Sequence, residues 1–308
     1  RPAHGRLGAQ PAEAVHVRPR LRRVAIFGHT GRPAVRRAAA ALARRLARRG
    51  CEVRLERSLA TAMGRAGEPA ERLGAWCQLL VTLGGDGSVL AGGRALAGRR
   101  GLLLGVNFGG LGFLAAAEQH ELDRAVDAAL AGTWPVAAHP LLRARVLRRG
   151  RAVAHGHGMN DAVVRGTGGH AAVHLRMRAL GQDLGHLVAD GVIASTAAGS
   201  TAYSLSAGGP VLAPGVDALV VTPVCAHSLG SRSLVLPPDD EVALRLIGSL
   251  GGMMLVLDGQ EPVPLRAGDE VRIRLDRAAV RCVDNPRRPF ARSLQRKLGW
   301  QGSTRRSM

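Results

Sequence analysis

The stretch Leu79-Leu80-Val81-Thr82-Leu83-Gly84-Gly85-Asp86-Gly87-Ser88 decides how the rest of the chain is interpreted. Its first five residues are an apolar run, which predicts a buried strand. The glycines that follow predict a tight turn, and a helix is expected to begin near Ser88 and to run to Leu96-Ala97. A helix that starts at a glycine turn presents free N–H groups and the positive end of its dipole. The stretch therefore predicts a strand, a turn and a helix that suit a phosphate group.

Asp86 is unusual in such a turn, because its carboxylate would repel bound phosphates. We therefore expect it to bind a metal ion or to accept a proton. The alternative is an ordinary Asp-Gly turn that only connects strand to helix. This stretch alone leaves both interpretations open.

The composition limits the classes of protein that the chain can belong to. Its 308 residues suffice for two domains, and 46% of them are hydrophobic. The net charge of +20 would attract polyanions, but the basic residues are scattered and no clustered basic and aromatic face is evident. Nucleic acid is therefore an unlikely partner.

The cysteines and the apolar runs indicate a cytoplasmic protein. Cys51, Cys77, Cys225 and Cys282 form no C-x-x-C pair, which argues against a disulfide scaffold and a cysteine zinc site. No apolar run reaches the length of about 18 residues that a membrane span needs. We expect residues 1–22 to be a disordered basic tail.

The first half of the chain alternates strand and helix patterns. Strands are predicted at 23–28, 51–55, 79–83 and 102–107, and helices at 33–49 and 121–131, with a loop and a short helix at 58–75. This order predicts an α/β domain over residues 23–134 with a Rossmann-like parallel sheet. Ligands bind such sheets at the carboxyl ends of the strands.

The pattern changes after Trp134 to short alternating segments separated by glycines. Strands are predicted at 141–147, 152–157, 161–165, 171–177, 241–246, 253–257, 270–275 and 280–283, and one helix at 200–207. We expect residues 135–288 to form a mainly antiparallel, β-sandwich-like domain. Residues 289–308 are expected to be a helical tail.

Two polar stretches in the second half could bind a ligand. Residues 190–210 concentrate Ser, Thr and Gly and include Tyr203, the chain's one tyrosine, whose ring could stack on a base. Their alternative is a glycine-rich connection with hydroxyl caps. Asn160 could pair with an adenine edge and Asp161 with a ribose hydroxyl, whereas the alternative is an Asx turn.

Five motifs then occur in one order, at residues 83–88, 105–114, 160–161, 190–210 and 257–260. With these motifs the chain resembles the bacterial NAD kinase (ATP-NAD kinase) family, from about residue 23 to Trp300. The Gly-Gly-Asp-Gly turn alone is shared with phosphofructokinases and with diacylglycerol or sphingosine kinases. The run at 199–210 is far more specific.

The resemblance implies that the γ-phosphoryl group of ATP is transferred to the adenosine 2′-hydroxyl of NAD, giving NADP. It implies that Asp86 accepts the hydroxyl proton and that the phosphates are bound by Gly84, Gly85, Gly87 and Ser88. It implies a dinucleotide site formed by Asp86, Gly87, Asn160, Asp161, Asp190, Thr201, Ala202, Tyr203, Ser204, Leu205, Ser206 and Gln260.

The resemblance also implies partners and cofactors. ATP is the expected co-substrate, with Mg²⁺ or another divalent cation, although some relatives use inorganic polyphosphate. A homodimer or homotetramer is expected, with contacts from the β domain.

Two other functions fit parts of the sequence. One is another kinase with this turn, acting on a lipid or a sugar. The other is a non-catalytic protein that binds nucleotides or nucleic acid through its positive charge, and its binding should weaken steeply with salt.

Overall fold

A computed structural model describes residues 21–110, 112–168, 172–228 and 230–299, with residues 277 and 278 described by their backbone alone. Almost all of the predicted basic tail at 1–22 lies outside the described residues. The last part of the predicted helical tail, residues 300–308, lies outside them as well.

The N-terminal part alternates strands and helices, as its sequence predicts. Its elements are β1 (Arg23–Gly28), α1 (Pro33–Arg48), β2 (Glu52–Leu55), α2 (Arg57–Ala62), α3 (Ala70–Trp76), β3 (Leu79–Gly84), α4 (Asp86–Ala95), β4 (Leu102–Asn107), β5 (Ala117–Glu118), a 3₁₀ turn (Gln119–Glu121) and α5 (Leu122–Ala131).

Strands β1 to β4 form a parallel sheet in the order β2-β1-β3-β4. Every residue of β3 and β4 is buried, as expected for strands that helices cover on both faces. Successive side chains alternate between two cores, so that Leu102 and Leu104 pack with α1 and α5, and Leu103 with α3 and α4. Gly84 pairs with Asn107. The first glycine turn, which follows β3, and the second glycine turn, which follows β4 and is described at residues 108–110 and 112–114, therefore lie at one edge of the sheet.

Helix α1 shows how the sequence dictates one of these layers. Pro33 occupies its first turn, where a missing N–H costs nothing. Val35, Ala39, Leu42 and Leu46 are its buried residues and recur at helical spacing. Burying each of the larger side chains contributes about 1.5–3 kcal/mol of transfer free energy.

The C-terminal part is built mainly from strands. Its elements are β6 (Val136–Arg148), β7 (Arg151–Gly158), β8 (Asp161–Gly166), β9 (Val173–Ala179), β10 (Gln182–Ala189), β11 (Gly191–Ser195), a 3₁₀ turn (Gly199–Thr201), α6 (Tyr203–Ser206), β12 (Leu219–Val224), β13 (Leu234–Leu236), β14 (Glu241–Ser249), β15 (Met253–Leu257), β16 (Val263–Leu265), β17 (Glu270–Val283) and α7 (Phe290–Leu298).

These strands form two layers that face each other. A six-stranded antiparallel sheet has the order β13-β12-β11-β8-β15-β16. Its Val164 and Val192 share one hydrophobic core with Leu142 and Leu175 of the opposite sheet. Two sheets packed in this way form a β-sandwich. The predicted fold class, a parallel α/β domain followed by a mainly antiparallel β domain, is confirmed.

Strand β17 joins the two parts of the chain. It pairs antiparallel with β6 and β14, and its residues Arg281 and Cys282 pair in parallel with Leu102 and Leu103 of β4. The larger sheet therefore has eleven strands and runs from the sandwich into the α/β domain. The border predicted near residue 134 crosses a continuous sheet.

The structure differs from the sequence predictions in several elements. Helix α4 begins at Asp86 instead of Ser88, and residues 58–75 hold parts of two short helices. The segments predicted at 270–275 and 280–283 are one strand, interrupted by a register shift after Asp276. The sequence does not predict β10, β11, β12, β13 or β16. Strand β10 has exposed residues and a left-handed Gly185 (φ +91°), which hide its alternation.

The helix predicted at 200–207 is also different. It divides into the 3₁₀ turn and the four-residue α6, because Ala202 between them has ψ −127°. All four cysteines are free thiols in the structure. Within the described residues, no helix is both long enough and apolar enough to cross a membrane.

Candidate active site

The first glycine turn places Asp86 at the start of α4. Gly85 is the N-cap residue, and its carbonyl accepts the N–H of Ser88 at 2.9 Å. A Cβ atom on Gly84 would lie 2.1 Å from the Ser88 Oγ atom, so only glycine fits there. The turn therefore holds the Asp86 side chain beside the first free N–H groups of the helix.

The second glycine turn fixes the Asp86 carboxylate. Its Oδ2 atom accepts the backbone N–H of Phe113 at 2.9 Å, and its Oδ1 atom accepts that of Leu114 at 3.2 Å. A Cβ atom on Gly112 would lie 1.9 Å from Oδ1, so the backbone can approach only because this residue is glycine. The side chain of Asp86 keeps 32% of its surface exposed. It is therefore both oriented and accessible to a ligand.

Asp258 holds the second polar stretch in place. Its Oδ1 atom accepts the N–H groups of Asn160 at 2.8 Å and Asp161 at 3.2 Å, and its Oδ2 atom accepts that of Met159 at 2.8 Å. Its side chain is completely buried, and Arg94 lies 3.4 Å from Oδ2. A buried carboxylate needs such partners to stay charged. Sequence analysis missed the role of Asp258, although the motif at 257–260 contains it.

Asn160 and Asp161 are both buried, and each carries a feature that burial disfavours. The Oδ1 atom of Asn160 has no hydrogen-bond partner among the described residues. Burial and, to a smaller extent, the nearby Asp258 carboxylate together raise the pKa of Asp161 to about 7. An unpaired buried amide oxygen costs about 1–3 kcal/mol, which a bound polar ligand would recover.

The stretch at 190–210 packs directly on this loop. Thr196 donates its hydroxyl to the carbonyl of Met159 at 2.8 Å and accepts the N–H of Gly199 at 3.0 Å. A Cβ atom on Gly199 would lie 2.0 Å from the Asn160 carbonyl oxygen. The structure therefore brings together the two stretches that the sequence singles out.

The hydroxyl residues of this stretch divide into two groups. Ser200 and Ser204 are fully buried, and Ser204 exchanges a hydrogen bond of 2.9 Å with Thr222. Ser200 donates to the Ala197 carbonyl at 2.6 Å. The other predicted binding residues are at least partly exposed: Thr201, Ala202, Tyr203, Leu205 and Ser206. Only the second group therefore has surface that a ligand could contact.

Helix α4 connects the two halves of the site. It begins at Asp86, and near its other end a Cβ atom on Gly93 would lie 2.8 Å from the sulfur of Met159. Arg94, the next residue, lies beside Asp258. At 1.5 Å per residue, Asp86 and Gly93 are about 10 Å apart along the helix. The Asp86 turn and the Asn160 loop are thus held on one rigid element.

Of the predicted site residues, Asp190 lies apart from this centre, whereas the side-chain amide of Gln260 donates to the carbonyl of Asp258 at 3.4 Å. Asp190 is exposed and precedes Gly191, at the end of β11 opposite to Ser195, which pairs with Asp161. Five residue steps separate Asp190 from Ser195, a distance of about 17 Å along the strand. Gln260 lines a cavity of about 330 Å³, together with Arg94, Ala97, Gly156, His157, Leu255, Leu257, Glu261 and Val263.

The fold and the site define a two-domain kinase of the glycine-turn class. The family models for the ATP-NAD kinase N-terminal and C-terminal domains match residues 24–134 and 159–284. The chain belongs to the ATP-NAD kinase family, as its motifs predict.

Curated relatives have the same organisation over most of their length. The NAD kinase of Burkholderia pseudomallei is 34% identical over 280 residues, which are 90% of this chain and 93% of the relative. The NAD kinase of Symbiobacterium thermophilum is 39% identical over 256 residues, covering 82% and 90% of the two chains.

Solved structures give the same fold. Yeast NADH kinase complexed with NADH superposes with a TM-score of 0.84 at 25% identity, covering 94% of this chain and 90% of that one. An NAD kinase from Archaeoglobus fulgidus in complex with ATP superposes with a TM-score of 0.71 at 21% identity, covering 90% and 97%. The latter supports the fold alone.

Proposed function

We propose that this protein transfers the γ-phosphoryl group of ATP to the adenosine 2′-hydroxyl of NAD, giving NADP and ADP. The observation that carries the proposal is the Asp86 carboxylate. Two backbone N–H groups of the second glycine turn orient it, and α4 connects it to the unsatisfied Asn160 loop. Family membership supports the same reaction.

Asp86 is the proton acceptor in this proposal. A ribose hydroxyl is a weak nucleophile, so a carboxylate within hydrogen-bond distance assists its attack. The hydroxyl oxygen bonds to the γ-phosphorus, the bond from phosphorus to the ADP oxygen breaks, and the proton passes to Asp86. The remaining acceleration comes from positioning and from neutralising the phosphate charge.

The acceptor site is assigned to the buried polar groups of the Asn160 loop and to the exposed residues that border it. Asn160 offers its unpaired Oδ1 atom to the adenosine part, and Asp161 accepts a ribose hydroxyl. Tyr203 keeps 43% of its surface exposed, enough to stack on a base. The further proposed contacts are Gly87, Asp190, Thr201, Ala202, Leu205, Ser206 and Gln260, and the buried Ser204 is proposed to support this surface through its hydrogen bond with Thr222.

The donor phosphates are assigned to the first glycine turn. Gly84, Gly85, Gly87 and Ser88 surround the N-terminus of α4, where free N–H groups favour an anion. The family description names ATP as donor. Inorganic polyphosphate has the same terminal phosphoryl chemistry and is the alternative donor.

A divalent cation fits this site as an ion carried by the donor. Among the described residues, no group of three or more His, Cys, Asp or Glu side chains could hold a metal ion. Mg²⁺ in kinases is usually held by one or two carboxylates together with substrate phosphates, and Asp86 is the carboxylate at the donor turn. Bound there, the ion would neutralise phosphate charge.

We further propose that the protein acts as a cytoplasmic homodimer or homotetramer. Asp190 lies about 17 Å along the chain of β11 from Ser195, which pairs with Asp161, so a single chain presents Asp190 well away from the Asn160 loop. A second copy that brings its β domain to this surface would place Asp190 near the nicotinamide side of the ligand.

The test is an assay of purified protein with ATP, Mg²⁺ and NAD, in which a coupled dehydrogenase detects NADP. We expect NADP to form with ATP, and the Asp86→Asn variant to provide the negative control. Parallel reactions with NADH and with polyphosphate define the preferred acceptor and donor. Wild-type protein that forms no phosphorylated dinucleotide with either donor would contradict the proposal.

A further inference from the structure

The C-terminal helix α7 returns to the α/β domain after β17. Arg288, just before the helix, forms ion pairs with Glu118 at 2.7 Å and Glu121 at 3.0 Å. Leu294 is buried, and the ring of Phe290 lies 6.1 Å from that of Phe113, measured between centroids. These contacts fix α7 against the second glycine turn, whose N–H groups bind Asp86.

This packing brings Lys297 to the candidate active site. Its Nζ atom lies 3.9 Å from the Asp86 Oδ2 atom and 4.0 Å from the centroid of the Phe113 ring. The lysine side chain has 20% of its surface exposed. Its pKa is lowered because burial disfavours the charged form, and Asp86 opposes that shift.

The composition makes this lysine distinctive. The chain has 43 basic residues, and Lys297 is the one lysine among them. An ammonium is a compact point charge, whereas a guanidinium forms a planar fork that pairs with both oxygens of a carboxylate. Both Asp86 oxygens already accept backbone N–H groups, and the Lys297 ammonium lies beside one of them.

We propose that Lys297 is a positioning residue for phosphoryl transfer, which offsets the repulsion between the Asp86 carboxylate and the incoming donor phosphates. This inference rests on the proposed function, because it assigns a charge to the same reaction. The positive charge of Lys297 acts when the donor phosphates approach the Asp86 carboxylate, because neutralising phosphate charge is a main part of catalysing this transfer. It therefore affects turnover and donor binding more than NAD binding.

The alternative is that Lys297 only packs α7 onto Phe113. The variant Lys297→Met separates the two roles, because methionine keeps an unbranched apolar side chain but removes the charge. Lys297→Arg keeps the charge with a different geometry. Arg292→Met is the matched control, since Arg292 is exposed on the same helix and points about 140° away from Lys297.

The experiment measures kcat, the KM for ATP, the Kd for NAD without ATP, and the melting temperature of each variant. We expect Lys297→Met to lower kcat by at least about tenfold and to raise the KM for ATP severalfold, as loss of one charge-stabilising group does. The Kd for NAD and the melting temperature should stay close to those of wild type. Lys297→Arg should recover most of kcat, and Arg292→Met should resemble wild type.

Three results would overturn the inference. The first is a Lys297→Met variant with wild-type kcat and KM for ATP. The second is an equal loss in Lys297→Met and Lys297→Arg, which would show that the charge is not what matters. The third is wild-type protein without kinase activity. This result would reject the proposed function as well, and the reaction of the wild-type protein with ATP and NAD identifies it without any variant.

Discussion

Asp86 and Asp258 are two aspartates in similar sequence surroundings, since each is followed by a glycine. Both carboxylates accept backbone N–H groups, two for Asp86 and three for Asp258. They differ in burial, because the Asp86 side chain is 32% exposed and the Asp258 side chain is fully buried. The same local chemistry therefore gives a carboxylate that a ligand can reach in one place and a buried structural support in the other.

The largest expected effect comes from Asp86→Asn. The amide cannot accept the hydroxyl proton, so kcat should fall about 10²–10⁴-fold, the usual contribution of a general base. The melting temperature should change little, because the side chain is partly exposed and nearly the same size. A variant with near-normal turnover would remove Asp86 from the proposed chemistry.

The second prediction is the opposite behaviour of Asp258→Ala. Three backbone N–H groups and Arg94 lose their acceptor, so the free energy of unfolding should fall by about 3 kcal/mol. The KM for NAD should rise, because the Asn160 loop loses its support, while kcat at saturating NAD falls far less than in Asp86→Asn. Urea denaturation and steady-state kinetics measure the two effects. Unchanged stability would show that the comparison between the two aspartates is wrong.

The third prediction uses the raised pKa of Asp161. In an unfolded chain its pKa is about 3.9, whereas in the folded protein it is about 7 because burial and Asp258 disfavour the anion. The folded state therefore binds the proton more tightly. This contribution to stability is complete below about pH 4 and is lost as the pH rises through 7.

Asp161→Asn removes this titration. Between pH 5 and pH 8 the free energy of unfolding of wild type should fall by about 2–3 kcal/mol more than that of the variant. Asp217→Asn is the control, since it removes an exposed carboxylate and leaves the buried site unchanged. If the free energy of unfolding of wild type and of Asp161→Asn changed with pH in the same way, the folded protein would not disfavour the ionised form of Asp161.

The sequence predicts those parts of the site whose residues lie close together in the chain. Strand β3, its glycine turn and Asp86 lie within ten consecutive residues, and apolar runs and glycines indicate such elements directly. The parallel and antiparallel halves follow from the same periodicities. The stretch at 190–210 stands out because its Ser, Thr and Gly residues are concentrated, whereas Asn160 and Asp161 are assigned only through the family resemblance.

The contacts that complete the site join residues distant in sequence. Met159 and Asp258 are separated by 99 positions, and no local pattern shows that one carboxylate binds three N–H groups there. Lys297 is part of an ordinary amphipathic helix and reaches Asp86 only because β17 enters the α/β sheet. Sequence periodicity predicts elements, whereas their docking depends on the complete fold.

The smallest effect, and the sharpest test of how Asp86 is held, comes from the glycines of the second turn. In Gly112→Ala the new Cβ atom would lie 1.9 Å from the Asp86 Oδ1 atom. The carboxylate is the free end of a side chain, so it should turn aside and lose the N–H groups of Phe113 and Leu114. We expect kcat to fall about tenfold, since a misplaced base loses part of its usual 10²–10⁴-fold contribution.

Gly110→Ala is the matched control, because a Cβ atom there would lie more than 4 Å from the described residues other than its chain neighbours. It should leave kcat and the melting temperature unchanged, and Gly112→Ala should leave the melting temperature nearly unchanged. An exposed carboxylate can move into solvent at little cost in stability, whereas the buried Asp258 could not. Equal turnover in the two alanine variants would therefore show that the second turn does not orient the base, and that Asp86 is positioned by α4 alone.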